Sequence, residues 1–170
     1  TITVNGVSKG FAMTGWRVGF IGAPLWIAKA CNKIQGQITS ATCAIAQKAT
    51  ERAMLAEPRS TTKEMKDAFL KRRDMLIKLL KEIPGIRCNI PEGAFYVFPD
   101  ISSYFGKSDG KTIINNSDDL CIYLLNSAHV AMVAGDAFGN PECIRISYAA
   151  SDTKLIEAIN RIKTHLAKLS

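Results

Sequence analysis

The chain has 170 residues, 47% of them hydrophobic, and a net charge of +7, which is material for one ordinary domain or for pieces of two. That composition excludes a disordered chain, and no apolar run approaches the roughly eighteen residues of a membrane-spanning helix. The densest cations, Lys63, Lys66, Lys71, Arg72, Arg73 and Lys78, alternate with Glu64, Asp67 and Asp74 as on a solvated helix face, so neither nucleic acid nor membrane is expected as a partner.

Thr1 to Val4 alternates β-branched residues and predicts a short strand, followed by Asn5-Gly6 as a turn able to take positive φ. Lys9 then stands just past a strand end, with Arg17 eight residues further on. A lysine near a second fixed cation, screened from water by Phe11, Met13 and Trp16, loses part of its affinity for a proton. The neutral amine is a nucleophile able to condense with an aldehyde as a Schiff base. Arg17 offers a planar fork of donors that suits a phosphate beside that amine, and Ser8 adds a hydroxyl. The spacing alone also fits ordinary surface cations beside a tight turn.

Phe20 to Ala23 predicts a short buried strand stopped by Pro24. From Leu25 the pattern is helical: Ile27, Ala30, Cys31, Ile34 and Ile38 form one stripe, and Ala46, Ala49, Ala53 and Met54 a second that reaches about Glu57. Thr39-Ser40 is the expected break, with both side chains able to cap the second helix. Pro58 ends it, and Ser60 to Thr62 caps a long amphipathic helix whose buried stripe is Met65, Phe69, Leu76, Leu80 and Ile83, stopped at Pro84-Gly85.

Beyond it, Ile86 to Ile90 and Ala94 to Phe98 read as strands around the turn Pro91-Glu92-Gly93. Residues 106–117 predict a surface loop, and Ser117 or Asp118 caps a helix to about Ser127. Val130 to Ala134 and Cys143 to Tyr148 are further strands. A last helix follows the Ser151-Asp152 cap, with Leu155, Ile159, Ile162, Leu166 and Leu169 on one face. This β-β-α-β-β-α order predicts an α+β unit with helices over one face of a mainly antiparallel sheet.

Arg145 lies in an apolar strand between Ile144 and Ile146, where a buried cation needs an anion. A structural carboxylate, a bound ligand, or solvation on an edge strand would each serve. The five cysteines are odd in number, widely spaced and without a CxxC pair, which argues for reduced thiols and against a zinc site or disulfide framework. Neither His129 nor His165 has a partner at metal-ligand spacing.

The stretch SKGFAMTGWRVG (residues 8–19) closely resembles the cofactor-lysine signature of class I and II aminotransferases, the fold-type I pyridoxal-phosphate enzymes. GAFYVFPDI (93–101), GDAFG (135–139) and RISYA (145–149) resemble three further landmarks of that family in the expected order. The resemblance implies that Lys9 holds pyridoxal 5′-phosphate as a Schiff base and serves as general acid and base. It also implies that Arg17, with Ser8 as a further hydroxyl contact, binds the cofactor phosphate, and that Arg145 grips the substrate α-carboxylate. Phe95, Tyr96 and the loop Gly135 to Gly139 would wall the pocket. One position departs from some branches of the family, which place a phosphate-binding serine where Gly6 stands here.

By the same resemblance the fold class is α/β, the C-terminal part of a fold-type I transferase. Residues 1–60 would be the remnant of the large cofactor domain, 61–83 a connecting helix and 84–170 a small α+β domain. The family often has a Gln-x-Thr-Ser segment, here Gln37 to Ser40, near the subunit boundary, which implies a homodimer for the full-length protein. The groups that complete such a site would precede Thr1, so the 170 residues alone are expected to lack transaminase activity. The function implied is transfer of an amino group between an amino acid, aspartate or similar, and a 2-oxo acid; the lack of a long apolar run and of a basic-then-apolar start leads to the separate expectation of a cytoplasmic protein. Another fold-type I enzyme, such as a carbon-sulfur lyase or a synthase, would use the same residues, and a basic interaction module would use none of them chemically.

Overall fold

The computed structural model describes residues 1–56 and 60–170. These divide into two compact units, Thr1–Met65 and Lys66–Ser170, each described by itself.

In the first unit, β1 (Thr3–Gly6) and β2 (Gly19–Gly22) form an antiparallel hairpin in which Thr3 faces Gly22 and Gly6 faces Gly19. The strand thus includes Asn5-Gly6, and the chain turns only after Val7, whose N–H donates to the Val18 carbonyl at 3.3 Å. A small core of Val7, Val18 and Ala46, with Phe11 and Met13 packed against it, anchors the ends of the intervening loop. Contrary to the expected buried strand, every residue of β2 is exposed, because β1 and β2 pair only with each other among the described residues.

Helix α1 (Leu25–Ile38) and helix α2 (Ala44–Leu55) follow. The apolar stripe of α1 is present but uncovered, with no buried residue along its length. Its end also differs from expectation. Thr39 closes α1 by donating its N–H to the Gln35 carbonyl (2.9 Å), Ser40 takes a left-handed φ of 64°, and α2 starts at Cys43 without a side-chain cap. The expected stop at Glu57-Pro58 lies outside the described residues.

Helix α3 (Ser60–Lys81) has residues in both units. In the second unit its Leu76 and Leu80 are fully buried, and its last turn leads through Ile83 into Gly85 at φ 84°. The sheet there is antiparallel in the order β3 (Tyr96–Val97), β5 (Ile144–Ser147), β4 (Val133–Ala134). Helices α4 (Ser117–Ala128) and α5 (Asp152–Leu166) complete the core through Leu120, Leu124, Leu155, Ile159, Ile162 and Leu166. Ile86 to Ile90 is not a strand; only Arg87 pairs, with Asp100. The cap of α4 is Asn116 rather than Ser117 or Asp118, its side chain accepting from the Asp119 N–H, whereas Ser151 caps α5 as expected.

Asp100 joins two segments of this unit that lie outside its named strands. Its backbone bridges both Arg87 and Cys143, and its carboxylate accepts from the Ser102 N–H (2.9 Å), the Ser102 hydroxyl (2.7 Å) and Arg87 (2.6 Å). The Ser102 N–H above all holds the carboxyl below its usual pKa. A depressed carboxylate stabilises the fold above the ordinary carboxylate range and loses that contribution as pH falls through its lowered value. Arg87 is exposed, so its ion pair adds little, and the hydrogen bonds set the magnitude. Asp100→Ala is expected to cost about 2 kcal/mol at pH 7 by urea denaturation, with the gap to wild type narrowing below about pH 4.

All five cysteines are free thiols. Cys43 is exposed, and the N–H groups of Ala46 and Ile45 at the start of α2 lower its pKa. Burial pushes Cys121 up to about 11 and raises Cys143. Alkylation with iodoacetamide followed by peptide mass mapping should therefore label Cys43 well before Cys121 or Cys143, which should react only on unfolding. No helix among the described residues is long and apolar enough to cross a membrane.

Candidate active site

The loop between β1 and β2 carries Ser8, Lys9 and Arg17. Its backbone is tightly folded: the Phe11 N–H donates to the Val7 carbonyl at 3.2 Å, the Ala12 N–H to the Lys9 carbonyl at 3.3 Å, and Thr14–Trp16 forms one 3-10 turn. Ala12 (φ 53°) and Arg17 (φ 54°) both adopt the left-handed conformation, which costs a residue with a Cβ about 1 kcal/mol each. Two such residues in one loop are held by the hairpin below, and the Arg17 Nη1 adds a hydrogen bond to the Thr14 carbonyl at 3.0 Å.

Ser8 is half-buried, whereas Lys9 and Arg17 are exposed. The screen expected around Lys9 is not built by the loop itself. Phe11 and Met13 pack against the small core under the loop, and Trp16 is 45% exposed. These side chains fix the loop's base instead of covering the amine, because Val7 and Val18 supply the apolar surface they bury against. An amine, a hydroxyl and a guanidinium on one loop form the donor set that a phosphorylated aldehyde requires, so the residues present fit pyridoxal phosphate.

Arg145 belongs to the second unit. Ile144 and Ile146 are 1% and 7% exposed, and burying each is worth about 2 kcal/mol. A one-residue slip would forfeit both, so this pair sets the register and sends Arg145 to the opposite face of β5. The strand is central, which removes the edge-strand alternative. Among the described residues no carboxylate forms an ion pair with Arg145, and none of its guanidinium N–H groups donates a hydrogen bond. Its guanidinium carbon lies over the Tyr96 ring at 4.5 Å and over the Phe138 ring at 4.3 Å. A structural carboxylate partner is thus replaced by two ring faces.

The elements around it are rigidly placed. Tyr148 donates its hydroxyl to the Ala94 carbonyl at 2.9 Å, holding Ala94 at φ 63°, and its N–H donates to the Phe95 carbonyl at 2.9 Å. Phe95 stacks on Phe69 at 5.9 Å and contacts Tyr96 at 4.4 Å. The stretch Gly135–Phe138 is a 3-10 turn, not an open loop, and its Gly135 N–H donates to the Cys143 carbonyl at 2.8 Å. The supports from Tyr148 and Phe69 were not foreseen; Phe69 carried only its place in a helical stripe.

A family model described as aminotransferase class I and II matches residues 1–162. A bifunctional aspartate aminotransferase and glutamate/aspartate-prephenate aminotransferase of Petunia hybrida is 51% identical over 99% of this chain and 36% of its own length. An aspartate aminotransferase of Rhizobium meliloti is 45% identical, covering 100% of this chain and 42% of its own length. Among solved structures, the aspartate aminotransferase of Rhizobium meliloti superposes with a TM-score of 0.95 at 44% identity, over 100% of this chain and 42% of that one. An aromatic aminotransferase of Pyrococcus horikoshii superposes at 0.88 with 38% identity, over 98% of this chain and 43% of that one. The chain thus spans about two fifths of the length of these relatives, and its fold is that of a C-terminal portion of a fold-type I enzyme.

Proposed function

Because the chain belongs to the aminotransferase class I and II family, we propose that the protein transfers an amino group between an amino acid, aspartate or one like it, and a 2-oxo acid, with pyridoxal 5′-phosphate as cofactor. The observation that carries the reading is Arg145, a guanidinium on a central strand whose side-chain donors are unspent among the described residues and whose carbon lies over two rings. Such a group is prepared for a planar anion, and the α-carboxylate of an amino acid is one.

In this reading Arg145 binds and orients the α-carboxylate, fixing where Cα stands. Arg17 holds the cofactor phosphate, with the Ser8 hydroxyl beside it. Lys9 would hold the cofactor through its amine, and the same amine, when free, would serve as the base that takes the proton from Cα and as the acid that gives it back. Bound pyridoxal phosphate supplies the electrophilic aldehyde carbon and the electron sink that lets the Cα–H bond break. Residues 1–60 belong to a large cofactor domain, 61–83 to a connecting helix and 84–170 to a small domain. The protein acts as a homodimer in which Gln37 to Ser40 lies near the subunit boundary.

The test is a visible absorbance spectrum of the full-length protein with added pyridoxal phosphate, before and after aspartate. A cofactor band that shifts on addition, with stoichiometric 2-oxo acid, supports the reading. A protein that takes up no cofactor refutes it, and pyruvate with free ammonia or thiol from a suitable substrate would assign a lyase instead.

A further inference from the structure

We propose that Tyr96 and Phe138 are positioning residues that clamp the Arg145 guanidinium by its faces, leave its N–H edge as the only ligand surface, and so select a planar carboxylate over a tetrahedral anion. This rests on the reading of Arg145 as the carboxylate-binding residue. The two rings come from opposite sides of β5. Tyr96 lies on β3, paired with Ser147, and shares the open face with Arg145 two residues away. Phe138 ends the turn that follows β4, the other neighbour of β5. Phe138 is itself held edge-on by Phe98 at 6.2 Å and 88°.

The contact uses ring faces and nothing else. The Tyr96 hydroxyl makes no hydrogen bond among the described residues, and the guanidinium carbon sits 4.5 Å and 4.3 Å from the two ring centroids. An arginine side chain is long and rich in rotamers, so one held before the ligand arrives is ordered on folding and not on binding. In this clamp one ring covers each face, so approach is confined to the guanidinium plane, where a carboxylate presents two coplanar oxygens to two parallel N–H groups. A phosphonate or sulfonate places its third oxygen out of that plane, towards a ring face that offers no donor. Tyr96 and Phe138 therefore act on which anion binds, and not on proton transfer.

The experiment uses the full-length holoenzyme and a matched pair of probes, an amino acid and the 1-aminoalkylphosphonate with the same side chain. Wild type, Tyr96→Phe, Tyr96→Ala, Phe138→Leu and Arg145→Lys are compared by KM, kcat and the affinity ratio of the two probes, with folding checked by circular dichroism. Tyr96→Phe keeps the ring and should preserve the wild-type carboxylate-to-phosphonate ratio. Tyr96→Ala and Phe138→Leu should each raise KM for the amino acid roughly tenfold, change kcat much less, and narrow the carboxylate-to-phosphonate ratio. Phe138→Leu preserves apolar packing on Phe98 without a π face, so a merely structural role would leave it silent. If both variants keep the wild-type KM and ratio while Arg145→Lys raises KM, the clamp is refuted and the carboxylate reading stands. If Arg145→Lys changes neither quantity, the carboxylate reading falls and the clamp with it.

Discussion

Lys9→Ala in the full-length protein is expected to abolish the spectral response to aspartate and to lower turnover at least about 10³-fold, since in the proposed function one substitution removes both the covalent anchor and the proton-transferring group. Lys9 is exposed and the Val7, Val18 and Ala46 core that anchors its loop is built without it, so the variant should still fold, which circular dichroism checks. Lys9→Arg separates chemistry from charge. A guanidinium keeps the positive charge but stays protonated, so it is neither nucleophile nor base. Stopped-flow absorbance should find Lys9→Arg as inactive as Lys9→Ala. Substantial turnover by Lys9→Arg would mean that the position supplies only a cation, and the assignment of Lys9 as acid and base would be wrong.

Gly135→Ala should be the most destabilising single change in the second unit that adds only one carbon, at roughly 3 kcal/mol. A Cβ there would run into the carbonyl oxygens of Asn140 and Cys143, both backbone atoms held in place: the Cys143 carbonyl accepts from the Gly135 N–H, and the Asn140 N–H donates to the Gly135 carbonyl. Relief requires moving the start of the 3-10 turn, and Phe138 with it, so KM for the amino acid should rise alongside the lost stability. Gly139→Ala is the control. Gly139 has φ 80° and nothing within 4 Å of an added Cβ, so only the left-handed conformation is penalised, by about 1 kcal/mol. Urea denaturation of the two variants should rank them in that order. Equal midpoints would show that the turn accommodates the Cβ by a shift too small to matter.

The chemistry-bearing positions were readable because they sit in local patterns. The Ile144-Arg145-Ile146 alternation determined which way Arg145 faces, since the strand period is two and both isoleucines must be buried. The stripe of α5 likewise predicted four buried residues, Leu155, Ile159, Ile162 and Leu166, and its Ser151 cap. The motif at Lys9 and Arg17 announced its cofactor class by resemblance before any geometry was known.

The failures share one cause. Periodicity says which side of an element is apolar, but not what lies against it. The strand expected to be buried at Phe20 to Ala23 is therefore exposed along β2, and the helical stripe read in α1 carries no buried residue. Phe11 and Met13 were apolar neighbours of Lys9 in sequence, yet the small core beneath the loop claimed them. Ile86 to Ile90 had strand character, but a strand needs a partner over its length and only Arg87 found one. Sequence by itself thus determined most element types and the facing of Arg145, both set by short-range sterics and side-chain chemistry. Tertiary structure alone decided that Tyr96 and Phe138 meet over Arg145 and that Gly135 must lack a Cβ. Those contacts join segments brought together by long-range hydrogen bonding, and no local period records them.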